Sequence, residues 1–265
     1  MVELAVYGQA PHQVAWGSAF AEGAKKHGFI VRHCSNNDFT FTPDVAVFWS
    51  HRRLELIGRQ KLRGKDYIVL ELPYWGPRDV DTMKMCSAGW NGLNGRADFR
   101  NADSPADRWK LHGPGLSEWQ PPGEYALIMG QCAGDMSHAH ADINKWYERM
   151  IKQWSAIMPV AFRDHPKGGK YRCDIPKLNG PFSEAIKQAA VVVTFNSNAG
   201  VDALIAGVPV YAEDEGSMAY NTASHTVGQT LFPDRRQWAH DLAYCQWTPD
   251  EYRSGLAIEH LFEGR

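Results

Sequence analysis

The sequence predicts an α/β protein in two halves, each with a mainly parallel sheet covered by helices. Three observations predict it. Short apolar runs at 2–7, 45–49, 67–70, 125–129, 158–162 and 191–193 each end in a loop rich in Gly, Ser, Asn, Gln or His. Runs without polar alternation mark strands buried on both faces, which is the habit of parallel sheets. Segments of helical spacing lie between them, and strand–helix alternation builds right-handed parallel units. Finally, residues 189–211 (AAVVVTFNSNAGVDALIAGVPVY) hold a complete strand, polar turn, helix and second strand.

In the first half, residues 2–7 form a buried strand that ends in Gly8, Gln9, Ala10, Pro11 and His12; the helix of 14–27 follows, closed by Gly28. Strands are expected at 29–33, 45–49 and 67–70, with Pro43 and Asp44 as a turn. The loops after them carry Gln9 and His12, then Trp49 and His51, then Glu71, Tyr74 and Trp75, groups suited to a polar ligand and equally to ordinary packing. Residues 52–65 hold six basic side chains, Arg59 and Arg63 among them, against the single acid Glu55. Such a run is a solvated helix face or a groove wall for a polyanion. Residues 87–101 (SAGWNGLNGRADFRN), rich in glycine and asparagine, are expected to be an ordered loop that presents Trp90, Asn91, Asn94, Arg96 and Asp98. Residues 103–123 are rich in Pro, Gly, Ser and Trp and read as a connection, which divides the chain into domains 1–123 and 124–265.

In the second half, the strand of 125–129 empties into Gly130, Gln131, Cys132, Ala133, Gly134 and Asp135, and the strand of 158–162 delivers Arg163, Asp164, His165 and Pro166. Arg163 suits a bidentate phosphate contact, His165 a further hydrogen bond, and Pro166 stiffens the turn. After the strand at 191–193, Ser197 or Asn198 caps a helix whose first amides, at Ala199, Gly200 and Val201, are expected to be free to attract an anion. Gly200 permits close approach of a ligand; Gly207 and Pro209 end the helix. In doubly wound sheets ligands sit at these carboxyl ends. Helices at 235–246 and 249–262 complete the chain.

Composition sets limits. With 265 residues and 44% hydrophobic content the chain suits two small domains. No run of eighteen apolar residues and no basic-then-apolar leader are present, so neither a membrane span nor secretion is expected and the location predicted is cytoplasmic. Five cysteines lack CxxC spacing, which predicts reduced thiols and no zinc site. A formal net charge of -2 argues against a general nucleic-acid binder.

The order GQCAGD, FRDHP, TFNSNAGVDALIAGVPV resembles the nucleotide-sugar-binding half of GT-B glycosyltransferases of the capsular-polysaccharide type. Residues 236–255 (RQWAHDLAYCQWTPDEYRSG) and the GLNG segment resemble short glycosyltransferases of phage and bacterial genomes. The resemblance is carried by residues 125–255 and is looser before them. It implies a GT-B-like fold, two Rossmann-like domains with parallel sheets facing a cleft, with the last helices crossing back to the first domain. It further implies a nucleotide-sugar donor, UDP-linked, held by Gly130, Gln131, Asp135, Arg163, His165, Ser197, Asn198, Ala199 and Gly200. Asp202 stands where the family has a Glu on the ribose hydroxyls; one methylene shorter, it equally suits a first-turn carboxylate. Arg163, His165 and the Ala199 helix terminus could neutralise the departing diphosphate by themselves, so metal-independent transfer with no cofactor is expected.

Transfer also needs a base for the acceptor hydroxyl, with Asp98 first and His12 and Asp38 behind it. Gln9, Trp49, His51, Arg59, Arg63, Trp90, Asn91, Asn94 and Arg96 are the acceptor-side residues. The first expectation for the acceptor is a 5-hydroxymethylated pyrimidine in phage-type DNA, favoured by the basic run at 52–65 and by Trp49, Trp75 or Trp90 as stacking platforms for an exposed base, which would place the protein in the infected bacterial cytoplasm. The alternative, favoured by the capsule-like motifs and the acidic net charge, is a capsular or surface glycan. A nucleotide-sugar epimerase of GT-B architecture and a non-catalytic nucleotide-binding module are the rival functions. The expected state is a monomer or weak dimer.

Overall fold

The computed structural model describes residues 2–168 and 170–264. The first 105 residues form β1 (Glu3–Tyr7), α1 (Pro11–Lys26), β2 (Ile30–Cys34), β3 (Val45–Trp49), α2 (Leu54–Leu62), β4 (Asp66–Glu71) and β5 (Cys86–Trp90). Then come α3 (Asp107–His112), β6 (Tyr125–Met129), α4 (Ile143–Ser155), β7 (Val160–Arg163), α5 (Phe182–Ile186), β8 (Ala189–Thr194), α6 (Ala199–Ile205) and β9 (Val210–Ala212). The chain ends in α7 (Arg236–Ala243), β10 (Gln246–Trp247), α8 (Pro249–Ser254) and α9 (Leu256–Phe262). Two compact units result: Met1–Pro105 with His240–Arg265, and Ala106–Ala239.

The sheet of unit 1 has the order β10-β5-β4-β3-β1-β2, and that of unit 2 the order β7-β6-β8-β9. β1 to β4 are parallel, and so are all four strands of unit 2. By chain order each parallel set therefore runs second, first, third, fourth. The winding direction reverses beside the first strand, which opens a crevice between β1 and β3 in unit 1 and between β6 and β8 in unit 2.

Burial follows the apolar runs. In unit 1 one face packs Leu4, Val6 and Phe20 of β1 and α1 against Trp247, Tyr252, Ile258 and Leu261 of the carboxyl-terminal segment. The other face packs Tyr7, Phe48 and Tyr67 against Leu56 and Ile57 of α2. In unit 2, α4 covers Val191, Val193 and Phe195, whereas α5 and α6 cover Val192 and Val210. Among the described residues no helix is long and apolar enough to cross a membrane.

Helix ends follow their capping chemistry. The Gln13 side chain accepts from the Gln9 and Ala10 amides ahead of Pro11 at the start of α1. Thr248 and Glu251 exchange hydrogen bonds at the start of α8. The helix expected over 249–262 is broken at Gly255, whose φ of 97° ends α8 before α9 begins.

The loop expected at 87–101 is in part a strand. Cys86–Trp90 pairs antiparallel with β4 on one side and with β10 on the other. Its small residues have a packing reason: a Cβ on Gly89 would lie 2.7 Å from the Ala97 Cβ and 2.7 Å from the Phe99 ring, because 97–99 folds back across it. Residues 106–123 belong to unit 2, where the Ser117 and Gln120 amides donate to the Ile205 and Gly207 carbonyls and Trp119 stacks under Arg235 at 3.8 Å.

The packing of α1 on α8 depends on Gly23. A Cβ there would collide with the Tyr252 carbonyl oxygen, a backbone atom with little freedom to move. Gly23→Ala should therefore cost about 1–3 kcal/mol by overpacking, despite its better helix propensity. A denaturant midpoint equal to that of the parent would contradict this close approach.

Candidate functional site

The loops at the crevice of unit 2 are joined by hydrogen bonds. Gln131, just beyond β6, donates from Nε2 to Thr194 Oγ1 at the end of β8 (3.3 Å), and the same oxygen accepts from the Ser197 amide (2.8 Å). Thr194 is fully buried, so its hydroxyl ties the two loops without water between them. Gly130 lies against the next loop: its amide donates to the Arg163 carbonyl (2.8 Å), and a Cβ would come 2.8 Å from the His165 nitrogen. The structure thus brings Gly130, Gln131, His165 and Ser197 to one sheet edge, with Asn198, Ala199, Gly200 and Asp202 directly after.

Two expectations about this edge change. Ser197 takes the Ala199 amide on Oγ (3.2 Å) and the Gly200 amide on its carbonyl (3.0 Å), so those N–H groups are not free as the capping pattern predicts. Arg163 turns along the sheet, with Nη1 on the Leu178 carbonyl at 3.4 Å, Nη2 on the Gly180 carbonyl and its guanidinium over Phe182. It braces the 178–182 segment in place of the phosphate contact expected of it. Asp164 does similar work, accepting from Lys177 Nζ (2.8 Å) and the Tyr171 amide (3.1 Å).

His165 is half-buried, and burial holds its imidazole below the usual histidine range; Asp135 pulls the other way, while Lys167 and His138 add to the lowering. Its Nδ1 accepts from the Lys167 amide (3.1 Å), which assigns the proton to Nε2. A neutral ring with one N–H donor results. Asp135 caps the short turn after it by accepting from the Ser137 amide (2.8 Å). Beside these loops lies a cavity of about 800 Å³, lined by Gln131, Asp135, His138, Tyr147, Lys170 and Arg172 among others, a size that accepts a nucleotide.

Sequence reading missed one cluster. Ser137, Asn196, Asp214 and His140 come from the loops after β6, β8 and β9. Asn196 donates to the Ser137 carbonyl (2.8 Å) and to Asp214 Oδ1 (3.1 Å); Asp214 Oδ2 meets His140 Nε2 at 2.9 Å. The Asp214 side chain is 6% exposed and that of His140 50%. Histidines at 138 and 140 and the acidic run 213–215 were visible as composition, but 74 positions separate the partners.

In unit 1, the crevice between β1 and β3 gathers part of the expected acceptor side. Gln9 and His12 follow β1, Trp49 ends β3, and the His12 and Trp49 rings meet edge-on at 4.9 Å. His51 contacts the Tyr67 hydroxyl (3.2 Å), and burial lowers its pKa, with Lys61 adding to the effect. Asp38, beyond β2, accepts from the Thr40 hydroxyl (2.6 Å) and amide (3.0 Å), contacts that hold its carboxyl below the usual range.

The remaining acceptor-side residues do not join them. Register places Trp90 opposite Ile68, toward the amino end of β4, so the loop after β5 leaves from the sheet edge opposite the crevice. Trp90 is 1% exposed and donates from its indole to the Leu261 carbonyl (2.9 Å), so it is core rather than a stacking platform. Asn91, at φ 57°, clamps the start of β4, accepting from the Tyr67 amide (3.0 Å) and donating to Asp66 (2.7 Å). Asn94 and Arg96 form a 3-10 turn, and Asp98 pairs through its backbone with Trp90 while its carboxylate accepts from the Arg100 amide (2.9 Å). Asp98 is therefore withdrawn as the base.

The basic run is also largely engaged. Arg59 donates to the Phe39 carbonyl (2.7 Å), Arg63 to the Thr42 hydroxyl, and Lys65 to Asp44 (2.7 Å). These side chains tether the 38–44 loop to α2. Among the described residues no group of three or more His, Cys, Asp or Glu side chains is placed to hold a metal ion.

No family model matches the chain, and no curated protein matches it. Among solved structures it is similar to KpsC of Thermosulfurimonas dismutans, described as a beta Kdo 2,4 transferase, with a TM-score of 0.60 and 10% identity over 98% of each chain. The beta Kdo 2,7 transferase of the same name and organism gives a TM-score of 0.56 and 11% identity, covering 97% of this chain and 99% of that one. At such identities the likeness establishes the fold: an α/β architecture of the GT-B kind, with two Rossmann-like units.

Proposed function

We propose that the protein is a glycosyltransferase that moves a sugar from a nucleotide-sugar donor to an acceptor hydroxyl. The observation that carries the reading is the crevice between β6 and β8, closed by the Gln131–Thr194 hydrogen bond at the place where doubly wound folds take nucleotides. The fold shared with two sugar transferases supports it.

In this reading Gly130, Gln131, Asp135, His165 and the 197–200 turn hold the donor, UDP-linked and without a metal. Gly130 lets the donor approach the backbone, and the His165 Nε2–H donates to a phosphate oxygen. Gln9, Trp49 and His51 are the acceptor-side residues in this reading, with His12 as the base. The acceptor is a glycan hydroxyl. Arg59, Arg63 and Trp90, the features that favoured modified DNA, are occupied within unit 1.

Incubation with a panel of nucleotide sugars, each with glycan and hydroxymethylated DNA acceptors, should release nucleotide and glycosylate only the glycan. EDTA should leave the initial rate unchanged. Glycosylated DNA would restore the other acceptor, and rate loss reversed by manganese or magnesium would overturn metal independence. Interconversion of the donor without an acceptor would favour an epimerase.

A further inference from the structure

Sugar transfer from a nucleotide leaves negative charge on the departing phosphate, which needs a proton or a strong hydrogen-bond donor. Arg163 is bound to the Leu178 and Gly180 carbonyls, the Ala199 and Gly200 amides are bound to Ser197, and neutral His165 has one N–H to hydrogen-bond a phosphate oxygen but no proton to give up.

One imidazole at the same sheet edge is free to serve. His140 Nε2 is fixed by Asp214 at 2.9 Å, which leaves Nδ1 as the nitrogen available for proton transfer. Asp214 is buried, and its other oxygen accepts from the Gly216 amide (2.9 Å) and from Asn196 (3.1 Å), so the carboxylate cannot swing away. Asn196 immediately precedes Ser197, and Phe195 lies 5.8 Å from the imidazole, which places the dyad beside the donor turn. A buried carboxylate on one nitrogen of a half-exposed imidazole is an arrangement used for proton transfer in unrelated enzymes.

We propose that His140 is a catalytic residue that gives a proton from Nδ1 to the departing phosphate, and that Asp214 is its positioning residue. The inference rests on the glycosyl-transfer reading. As the acceptor oxygen bonds the anomeric carbon, the bond from that carbon to the phosphate oxygen breaks and its electron pair stays on the phosphate. His140 protonates that oxygen, the acceptor proton passes to the acceptor-side base, and both groups re-equilibrate with water.

The test uses the intact protein and nucleotide release from the same donor panel. His140→Ala should lower kcat about 10²–10⁴-fold while donor KM stays within about threefold, and added imidazole should restore part of the loss. Asp214→Asn should lower kcat by about tenfold or more without responding to imidazole. Should the alanine variant not fold, His140→Gln, which keeps a polar side chain beside Asp214, must show the same fall in kcat at unchanged donor KM. Parent-level kcat in the His140 variants overturns the inference and leaves the transferase reading intact, as does a loss shared equally by KM with no imidazole rescue. No release by the parent protein from any nucleotide sugar overturns that reading and the inference with it.

Discussion

His12→Ala is expected to lower turnover about 10²–10⁴-fold with little change in donor KM, the signature of a lost general base. Asp98→Asn should leave turnover within about twofold of the parent, because that carboxylate departs from the edge opposite the β1/β3 crevice and caps the Arg100 amide. Asp38 is the weaker rival. Hydrogen bonds from Thr40 keep its carboxyl below the ordinary range, which lowers its basicity near neutral pH, where imidazole exchanges protons most readily. Initial rates at saturating donor decide the matter. Equal rates for His12→Ala and the parent would remove the base from this crevice.

Trp247→Ala should destabilise unit 1 by about 3–5 kcal/mol, the range for deleting a fully buried tryptophan. Trp247 is 1% exposed and belongs to the cluster that joins β1 and α1 to α8 and α9. It also sits in β10, which pairs with β5 and covers that sheet edge. Native-state hydrogen exchange of the β3 and β4 amides reads unit 1 alone, so its loss of protection can be separated from any change in unit 2. Protection within 1 kcal/mol of the parent, on the order of a surface substitution, would mean that the carboxyl-terminal segment is not part of the core.

Much of the fold was legible because it is written in local periodicity. ELAVY, VAVFW, YALIM and AVVVT are apolar without alternation, and each lies in a parallel strand with its interior positions buried. The loops after them were also legible, since a strand that stops at Gly130 or at Asn196 must leave polar groups at its carboxyl end. CSAGW was harder. Its small residues lower strand propensity, and only the folded-back segment of 97–99, which needs Gly89 to be bare, turns that composition into a strand.

The sequence by itself determined where strands end and which polar side chains stand at those ends, because a residue's own burial pattern is encoded within a few neighbours. Only the tertiary structure decided what those side chains bond to. Arg163 reads as a phosphate ligand until Leu178 and Gly180 offer it carbonyls, and Arg59 and Arg63 read as a polyanion wall until the 38–44 loop takes their N–H groups. His140 and Asp214 carry no signal individually and become a dyad when the loops after β6 and β9 meet. The carboxyl-terminal segment completes a sheet begun at residue 3 for the same reason. Which partner satisfies a buried donor or fills a hydrophobic face is settled by strand order, and strand order joins positions that no local pattern connects.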